Sequence, residues 1–392
     1  MGEFYLGNVR LVNADGIREA VWIRVVGGVI QEIGLGEVPP AVQTQSTAVE
    51  YIDGLGQWLL PGFIDIHIHG GDGAEVMDGT VRALQTIAQF HAAHGTTGWL
   101  PTTLTAPIDR IAKAVRAVDA FRKDASTGAK ALGVHLEGPF LSIKRIGAQN
   151  PAFVAEPSIA SFQQMTGGVE DIIRKMTIAP EVPGALEVIE WMQRRGIIPS
   201  LGHTDATLAE ANAAIALGHC HATHLFNGMR GLHHREAGVL GAALLSDDVT
   251  VELIVDLIHL EPEIVQLVLK MKGAERVCLI TDAMAAAGRP DGHYTLGDLD
   301  VTVENGKAFL TEGHNIAGST LTMDVAVRNM IQKVGVTLPD AVRMASTNPA
   351  RELGLADKKG SIAVGMDADL VLLDESFSVV RTWVEGRPVY QR

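Results

Sequence analysis

The sequence predicts an α/β protein, a closed (β/α)8 TIM-like barrel carrying a small β-sandwich domain formed from both chain ends. Three observations lead there. Short β-branched runs alternate with longer helical patterns through the middle of the chain, residues able to bind metal or move protons recur where successive strands end, and short apolar pieces with turn chemistry occupy both termini. A barrel gathers the ends of its strands at one rim, whereas the alternative, a doubly wound open sheet, spreads them out, so the recurrence favours closure.

At the amino end, apolar pieces at 4–10, 20–26 and 29–33 are separated by Asp15-Gly16 and Gly27-Gly28, the pattern of short antiparallel strands joined by tight turns. The carboxyl end repeats the style at 368–373 and 379–384, with Glu385-Gly386-Arg387-Pro388 turning before Val389-Tyr390. Domain ends tend to lie close together, so the expected division is 1–60 with 356–392 for the β domain and 61–355 for the barrel. Within the barrel, strands are expected at 96–101, 131–136, 197–201, 222–225, 250–254 and 277–280, and helices at 108–122, 208–217, 262–271 and 322–333. The Gly/Pro-rich stretch 138–157 and the stretch 283–297 are the candidate functional loops, with a helical turn as the other reading of 283–287.

Composition narrows the function classes. With 47% hydrophobic and only 20% charged residues the chain can bury a large core, and a formal charge of −14 repels nucleic-acid phosphates. No apolar stretch reaches the roughly eighteen residues of a membrane helix, and no secretory signal pattern is found. The cysteines, Cys220 and Cys278, are too few for a disulfide framework, and a buried thiol is the ordinary reading even for Cys220 beside His219, His221 and His224. A cytoplasmic protein with neither nucleic-acid nor membrane partners is expected.

The most informative segment is Phe63-Ile64-Asp65-Ile66-His67-Ile68-His69, set between Pro61-Gly62 and Gly70-Gly71. A strand projects alternate side chains to one face, so His67 and His69 can reach a single ion. Further candidate ligands stand where later strands end: Glu137, His203, His224 and Asp282. Glu137, His203 and His224 make the three-ligand set of a catalytic metal site with an open position, and Glu137 could bridge to a second ion on His67 and His69. Each residue also has a structural reading: Glu137 as an ion-paired carboxylate, His203 and His224 as capping or core histidines, Asp282 as a helix N-cap. Together those readings weaken, because five separate strand ends bearing only His, Glu or Asp are costly to bury without a metal. His135 and His221 lie deeper in their strands and are expected to be structural or supporting groups.

These motifs carry a resemblance. The run from Leu60 to Gly70 resembles the first-strand signature of the amidohydrolase superfamily. More narrowly, His135-Leu136-Glu137-Gly138-Pro139-Phe140, Leu201-Gly202-His203-Thr204-Asp205-Ala206, Ala222-Thr223-His224-Leu225-Phe226-Asn227-Gly228-Met229 and Thr281-Asp282-Ala283 with Ala317-Gly318-Ser319 are similar to its amino-sugar-phosphate deacetylase branch. The resemblance implies hydrolysis of the N-acetyl group of N-acetylglucosamine 6-phosphate to glucosamine 6-phosphate and acetate. It implies a divalent metal held by Glu137, His203 and His224, with Asp282 as general base and then acid. Zinc is the first expectation, with iron, manganese or cobalt as alternatives, as one tightly held ion and a second permitted by His67 and His69.

The same resemblance implies that Arg235 and His259 contact phosphate, that Asn227, Gly228 and the backbone of Ile316, Ala317 and Gly318 contact the sugar, that Ala148 and Gln149 close over it, and that the chain is a homodimer. Two departures stand out. Gln149 replaces a histidine found in many relatives, and Leu257 replaces the usual glycine in Asp256-Leu257-Ile258-His259, which leaves sugar preference open. The alternatives are another amidohydrolase, acting on a different N-acyl compound, a cyclic amide or a dipeptide, and a metal-stabilised binding protein without catalysis.

Overall fold

The computed structural model describes residues 2–38, 49–124 and 127–392. Its barrel strands are Phe63–Ile68, Thr96–Pro101, Val134–Glu137, Ile173–Ile178, Ile198–Leu201, Cys220–Ala222, Val249–Ile254 and Val277–Ile280. The last six pair in unbroken parallel order, and the first two pair with each other. Single parallel bridges from Thr102 to His135 and from Ile68 to Ala283 close the ring.

The two faces of these strands differ in kind. Ile64, Ile66, Leu100, Ile254 and Ile280 pack with Ala326 and Ala350 of the covering helices. The interior instead holds Asp65, His67, His135, Lys175, Thr177, His221 and Glu252, all at 0% exposure. Barrel interiors are ordinarily filled by branched apolar layers. A polar interior must be paired atom by atom, because an unpaired buried polar group costs several kcal/mol on the order of a lost hydrogen bond or more.

Glu3–Asn13, Gly16–Val26, Val29–Leu35, Glu50–Asp53, Trp58–Pro61, Leu370–Leu373, Val379–Val384 and Arg387–Gln391 form one mixed sheet. Both chain ends therefore build the β-rich part. Leu6, Leu11, Ile23, Leu59, Leu370 and Trp383 give it a core of its own. Trp58–Pro61 pairs with Leu370–Leu373 on one side and Glu3–Asn13 on the other. Only Gly62 then separates it from the first barrel strand, so this sheet holds the start of the histidine-bearing strand.

The structure corrects several expected elements. Ile173–Ile178 is a barrel strand that sequence patterning missed, because Lys175 interrupts its apolar run. The strand expected at 131–136 is split into Lys130–Ala131 and Val134–Glu137, and the one expected at 222–225 occupies Cys220–Ala222, leaving His224 in the turn beyond. The candidate loop 283–297 ends in the first strand of a three-stranded antiparallel excursion, Gly292–Leu296, Leu299–Glu304 and Lys307–Leu310. Among the described residues no helix is long and apolar enough to cross a membrane.

Candidate metal centre and catalytic pocket

The carboxyl ends of the barrel strands bring His67, His69, Glu137, His203, His224 and Asp282 together. Glu137 lies at the centre: its Oε1 is 3.2 Å from His203 Nε2, 3.0 Å from His224 Nε2 and 3.4 Å from His67 Nε2, while its Oε2 is 3.2 Å from His69 Nε2. His67 Nε2 and His69 Nε2 are 3.2 Å apart, and Asp282 Oδ1 lies 3.5 and 3.2 Å from them. Two donor groups result, Glu137 with His203 and His224, and His67 with His69 and Asp282. Metal–ligand bonds of roughly 2.0–2.1 Å make the edge of a coordination tetrahedron about 3.3 Å. The observed spacings match that edge.

Hydrogen bonding on the far side of each ring fixes the tautomer that a metal needs. Nδ1 of His69 faces Thr102 O at 3.2 Å, Nδ1 of His203 faces Arg145 O at 3.1 Å, and Nδ1 of His224 faces Asn227 O at 3.1 Å. A carbonyl can only accept, so each Nδ1 carries the proton and each Nε2 presents a lone pair inward. His67 Nδ1 faces Glu252 Oε2 at 3.6 Å, and among the described residues neither atom has a hydrogen-bond partner.

The electrostatics fit a cation. Burial alone would lower His67, but the Glu137 and Asp282 carboxylates raise it to about 9. Burial likewise opposes, and hydrogen bonds to Asp282 and Glu137 outweigh, in pushing His69 up to about 10. Burial works against Glu137 too, yet the surrounding imidazoles hold it well below the usual carboxylate range. Lone pairs converging in a water-poor pocket thus call for positive charge, which a divalent ion supplies without protonating its ligands.

The backbone is strained where these groups are presented. His203 has φ 46°, His224 φ 31° and Asp282 φ 53°, left-handed conformations that cost side-chain-bearing residues about 1–3 kcal/mol and cluster at functional sites. Asp65 ties the first strand to the eighth. Its carboxylate accepts from Thr281 Oγ1 at 2.6 Å, from Thr281 N at 3.2 Å and from His67 N at 3.1 Å, which sets Asp282 beside the histidine pair. Burial pushes the Asp65 carboxyl up to about 7 against those hydrogen bonds.

Above the donors opens a cavity of about 460 Å³, lined by His69, Glu137, Ala148, Gln149, His203, His224, Asn227, Gly228, His259, Asp282, Ile316 and Gly318 among the residues singled out in sequence. His67 and Ala317 lie buried beneath it. Arg235 is exposed and outside its lining, with Nη1 2.8 Å from His234 Nε2. Gln149 donates from Nε2 to Glu137 Oε2 at 2.6 Å and accepts from Thr105 N at 2.7 Å. His259 Nδ1 is 2.7 Å from Asp256 Oδ2, and Leu257 between them sits at φ 66°, a conformation open to glycine without strain.

Sequence reasoning missed three groups here. Lys144 and Arg145 also line the cavity, Arg145 Nε being 2.9 Å from Asp205 Oδ1. Glu252 lies below, paired closely with Lys175 and reaching both His67 and His221. A lone Glu inside the apolar run Val249-Thr250-Val251-Glu252-Leu253-Ile254 was the available signal.

Comparison with known proteins bears on this geometry. A model of the amidohydrolase family matches residues 58–389. The chain belongs to the amidohydrolase family. This amidohydrolase is 39% identical to the N-acetylglucosamine-6-phosphate deacetylase of Lysinibacillus sphaericus, over 97% of this chain and 96% of that one. It is 38% identical to the N-acetylgalactosamine-6-phosphate deacetylase of Escherichia coli O157:H7, over 96% of this chain and 97% of the relative. Among solved structures, the N-acetyl-D-glucosamine-6-phosphate deacetylase of Mycobacterium smegmatis, in a mutant bound to N-acetyl-D-glucosamine 6-phosphate, superposes with a TM-score of 0.92 at 33% identity, covering all of both chains. The amidohydrolase from Pasteurella multocida with the same activity in its name gives 0.90 at 32% identity, covering 98% and 99%.

Proposed function

We propose that this amidohydrolase removes the acetyl group of N-acetylglucosamine 6-phosphate, giving glucosamine 6-phosphate and acetate. The observation that carries this reading is Glu137, whose two oxygens face His203 and His224 on one side and His67 and His69 on the other, with Asp282 in the cavity lining. Glu137, His203 and His224 would hold one divalent ion, zinc by donor type, and His67 with His69 a second, Glu137 serving both. When bound, such an ion lowers the pKa of water and polarises the acetyl carbonyl.

The chain's own residues do the rest. Asp282, held ionised below its usual range by His67 and His69 despite burial, accepts the proton of the attacking water. It then delivers that proton to the departing nitrogen, since an amine anion is too poor a leaving group to depart unprotonated. Gln149 steadies the Glu137 carboxylate while its amide remains at the cavity wall. Asn227, Gly228 and the Ile316 to Gly318 backbone orient the sugar, Ala148 borders it, and His259 meets the phosphate, whose recognition must be local given a net charge of −14; Arg235, exposed beyond its own chain's cavity, would add to that recognition from the neighbouring copy of a homodimer. The protein acts as a homodimer in the cytoplasm; both cysteines, Cys220 and Cys278, are buried thiols.

The N-acetylgalactosamine-6-phosphate deacetylase at 38% identity favours a second reading, the epimeric sugar phosphate. Acetate release from both epimers and from unphosphorylated N-acetylglucosamine tests the assignment. A kcat/KM at least tenfold higher for N-acetylglucosamine 6-phosphate is expected; equal or reversed preference for the epimer would overturn it. Arg235→Ala should shrink the preference for the phosphorylated sugar, and an unchanged ratio would remove Arg235 from the phosphate site.

A further inference from the structure

A cluster of donors lies at the other end of the barrel, away from the pocket. His219 immediately precedes the sixth barrel strand, and His221 lies within it, while His224 follows its carboxyl end. Because the strands are parallel, His219 and His221 stand toward the amino ends, on the face opposite the catalytic mouth. Glu352 closes over them from the helix Asn348–Glu352. His219 Nε2 is 2.6 Å and His221 Nε2 3.1 Å from the same atom, Glu352 Oε2.

The hydrogen bonds around this group converge on one atom, both imidazole Nε2 atoms lying within hydrogen-bond distance of Glu352 Oε2. His221 Nδ1 is 3.1 Å from the buried Glu252 Oε1, which can only accept from it. The ring of His221 thus lies between two carboxylates, donating from Nδ1 to Glu252 and from Nε2 to Glu352 Oε2, and a divalent ion would take the place of the Nε2 proton. The other carboxylate oxygen, Oε1, is already held by Thr250 Oγ1 at 3.2 Å and Arg351 Nη2 at 2.9 Å. Oε2 is therefore fixed as the vertex on which both imidazoles converge. A carboxylate behind a histidine that faces inward with Nε2 is the supporting arrangement found behind metal-ligating histidines.

We propose that His219, His221 and Glu352 bind a divalent transition-metal ion of the zinc type, at a site separate from the catalytic one. Two imidazole nitrogens and a carboxylate select zinc, nickel, cobalt or copper over magnesium and calcium, which take oxygen ligands. The His221 and Glu352 spacing is within a few tenths of an ångström of the roughly 3.3 Å tetrahedral edge. The His219 side chain, 47% exposed, can swing outward to open its shorter contact and leaves room for water in the fourth position. The ion would clamp the sixth barrel strand to the helix beneath the barrel.

The test uses full-length protein stripped of metal, titrated with Zn2+ by calorimetry and then desalted for metal counting. Wild type should retain one equivalent more than His219→Ala or Glu352→Gln, or bind that equivalent at least tenfold more tightly. A His234→Ala control should keep it, and Mg2+ should not replace it. The kcat/KM of His219→Ala should remain that of wild type, which separates loss of this site from any failure at the mouth. Equal uptake with equal affinity in wild type and His219→Ala overturns the proposal, as does loss of the equivalent in His234→Ala. If Glu352→Gln does not fold, the exposed His219→Ala decides alone.

Discussion

Replacing Lys175 by Met strikes the interior on which the clustered histidines of the candidate site rest. Lys175 and Glu252 are both fully buried and directly paired, and Glu252 also meets His221 Nδ1 at 3.1 Å and His67 Nδ1 at 3.6 Å. Burial alone would push the Glu252 carboxyl up, but Lys175 and the two histidines hold it well below the usual range. Removing one partner of such a pair strands the other charge, at a cost of about 3–5 kcal/mol. Unfolding entropy near 2.1 cal/mol/K per residue gives roughly 0.8 kcal/mol/K for 392 residues. The variant should therefore melt about 4–6 °C lower.

The pH dependence has a definite sign. In wild type the depressed Glu252 contributes stability that is present above its unfolded value and is lost as pH falls. In Lys175→Met burial dominates, so the folded carboxyl rises above its unfolded value and stability falls as pH rises through it. The gap between the two proteins should thus be wider at pH 8 than at pH 5, measured by urea unfolding at fixed metal. A Lys175→Met/Glu252→Gln double variant should recover about 1–3 kcal/mol relative to the sum of the single changes. Additivity within about 0.5 kcal/mol, or a gap independent of pH, would show that the pair is not coupled as described.

Three further outcomes are expected. Asp282→Asn should lower kcat by about 10²–10⁴-fold, with substrate KM changed little and the ion on Glu137, His203 and His224 retained; wild-type turnover would end the proton-transfer role. Burial drives His91 down to about 4 despite its contact with Gly70 O, so wild type should lose on the order of 3 kcal/mol as pH falls from about 6.5 to 4. His91→Gln should flatten that slope, and an unaltered slope would refute the assignment. In the His219→Ala background, metal counting should reach two equivalents with added zinc; occupancy never above one would remove the ion assigned to His67 and His69.

What sequence could and could not disclose follows from how each signal is written. His67 and His69 were legible because strand parity places both on one face, and Glu137, His203, His224 and Asp282 because chemistry-bearing residues stand just past apolar runs. The strand Ile173–Ile178 was not, because an inward Lys175 in an apolar run looks like an interruption until the strand opposite supplies Glu252. Glu352 was equally hidden, since its histidine partners lie about 130 residues earlier, |i−j| being 133 and 131. The excursion at 292–310 was missed for another reason: its central strand does alternate, Leu299-Asp300-Val301-Thr302-Val303-Glu304 before the Asn305-Gly306 turn, but it lies between the last barrel strand and the next helix, where the βα alternation calls for no antiparallel strands.

The omissions of Lys175, Glu252 and Glu352 share a cause, and it concerns function. Glu252 turns one oxygen to His67 beneath the cavity and the other to His221, deeper in the barrel. Donor geometry at the mouth is therefore set partly by groups deep in the strands, which no local motif reports. A charge inside a strand otherwise buried on both faces has to be matched by a distant partner, because its desolvation is too costly to leave unpaired. Lys175 and Glu252, each unreadable alone, would have predicted one another had the barrel been closed first and its inward residues compared across the interior.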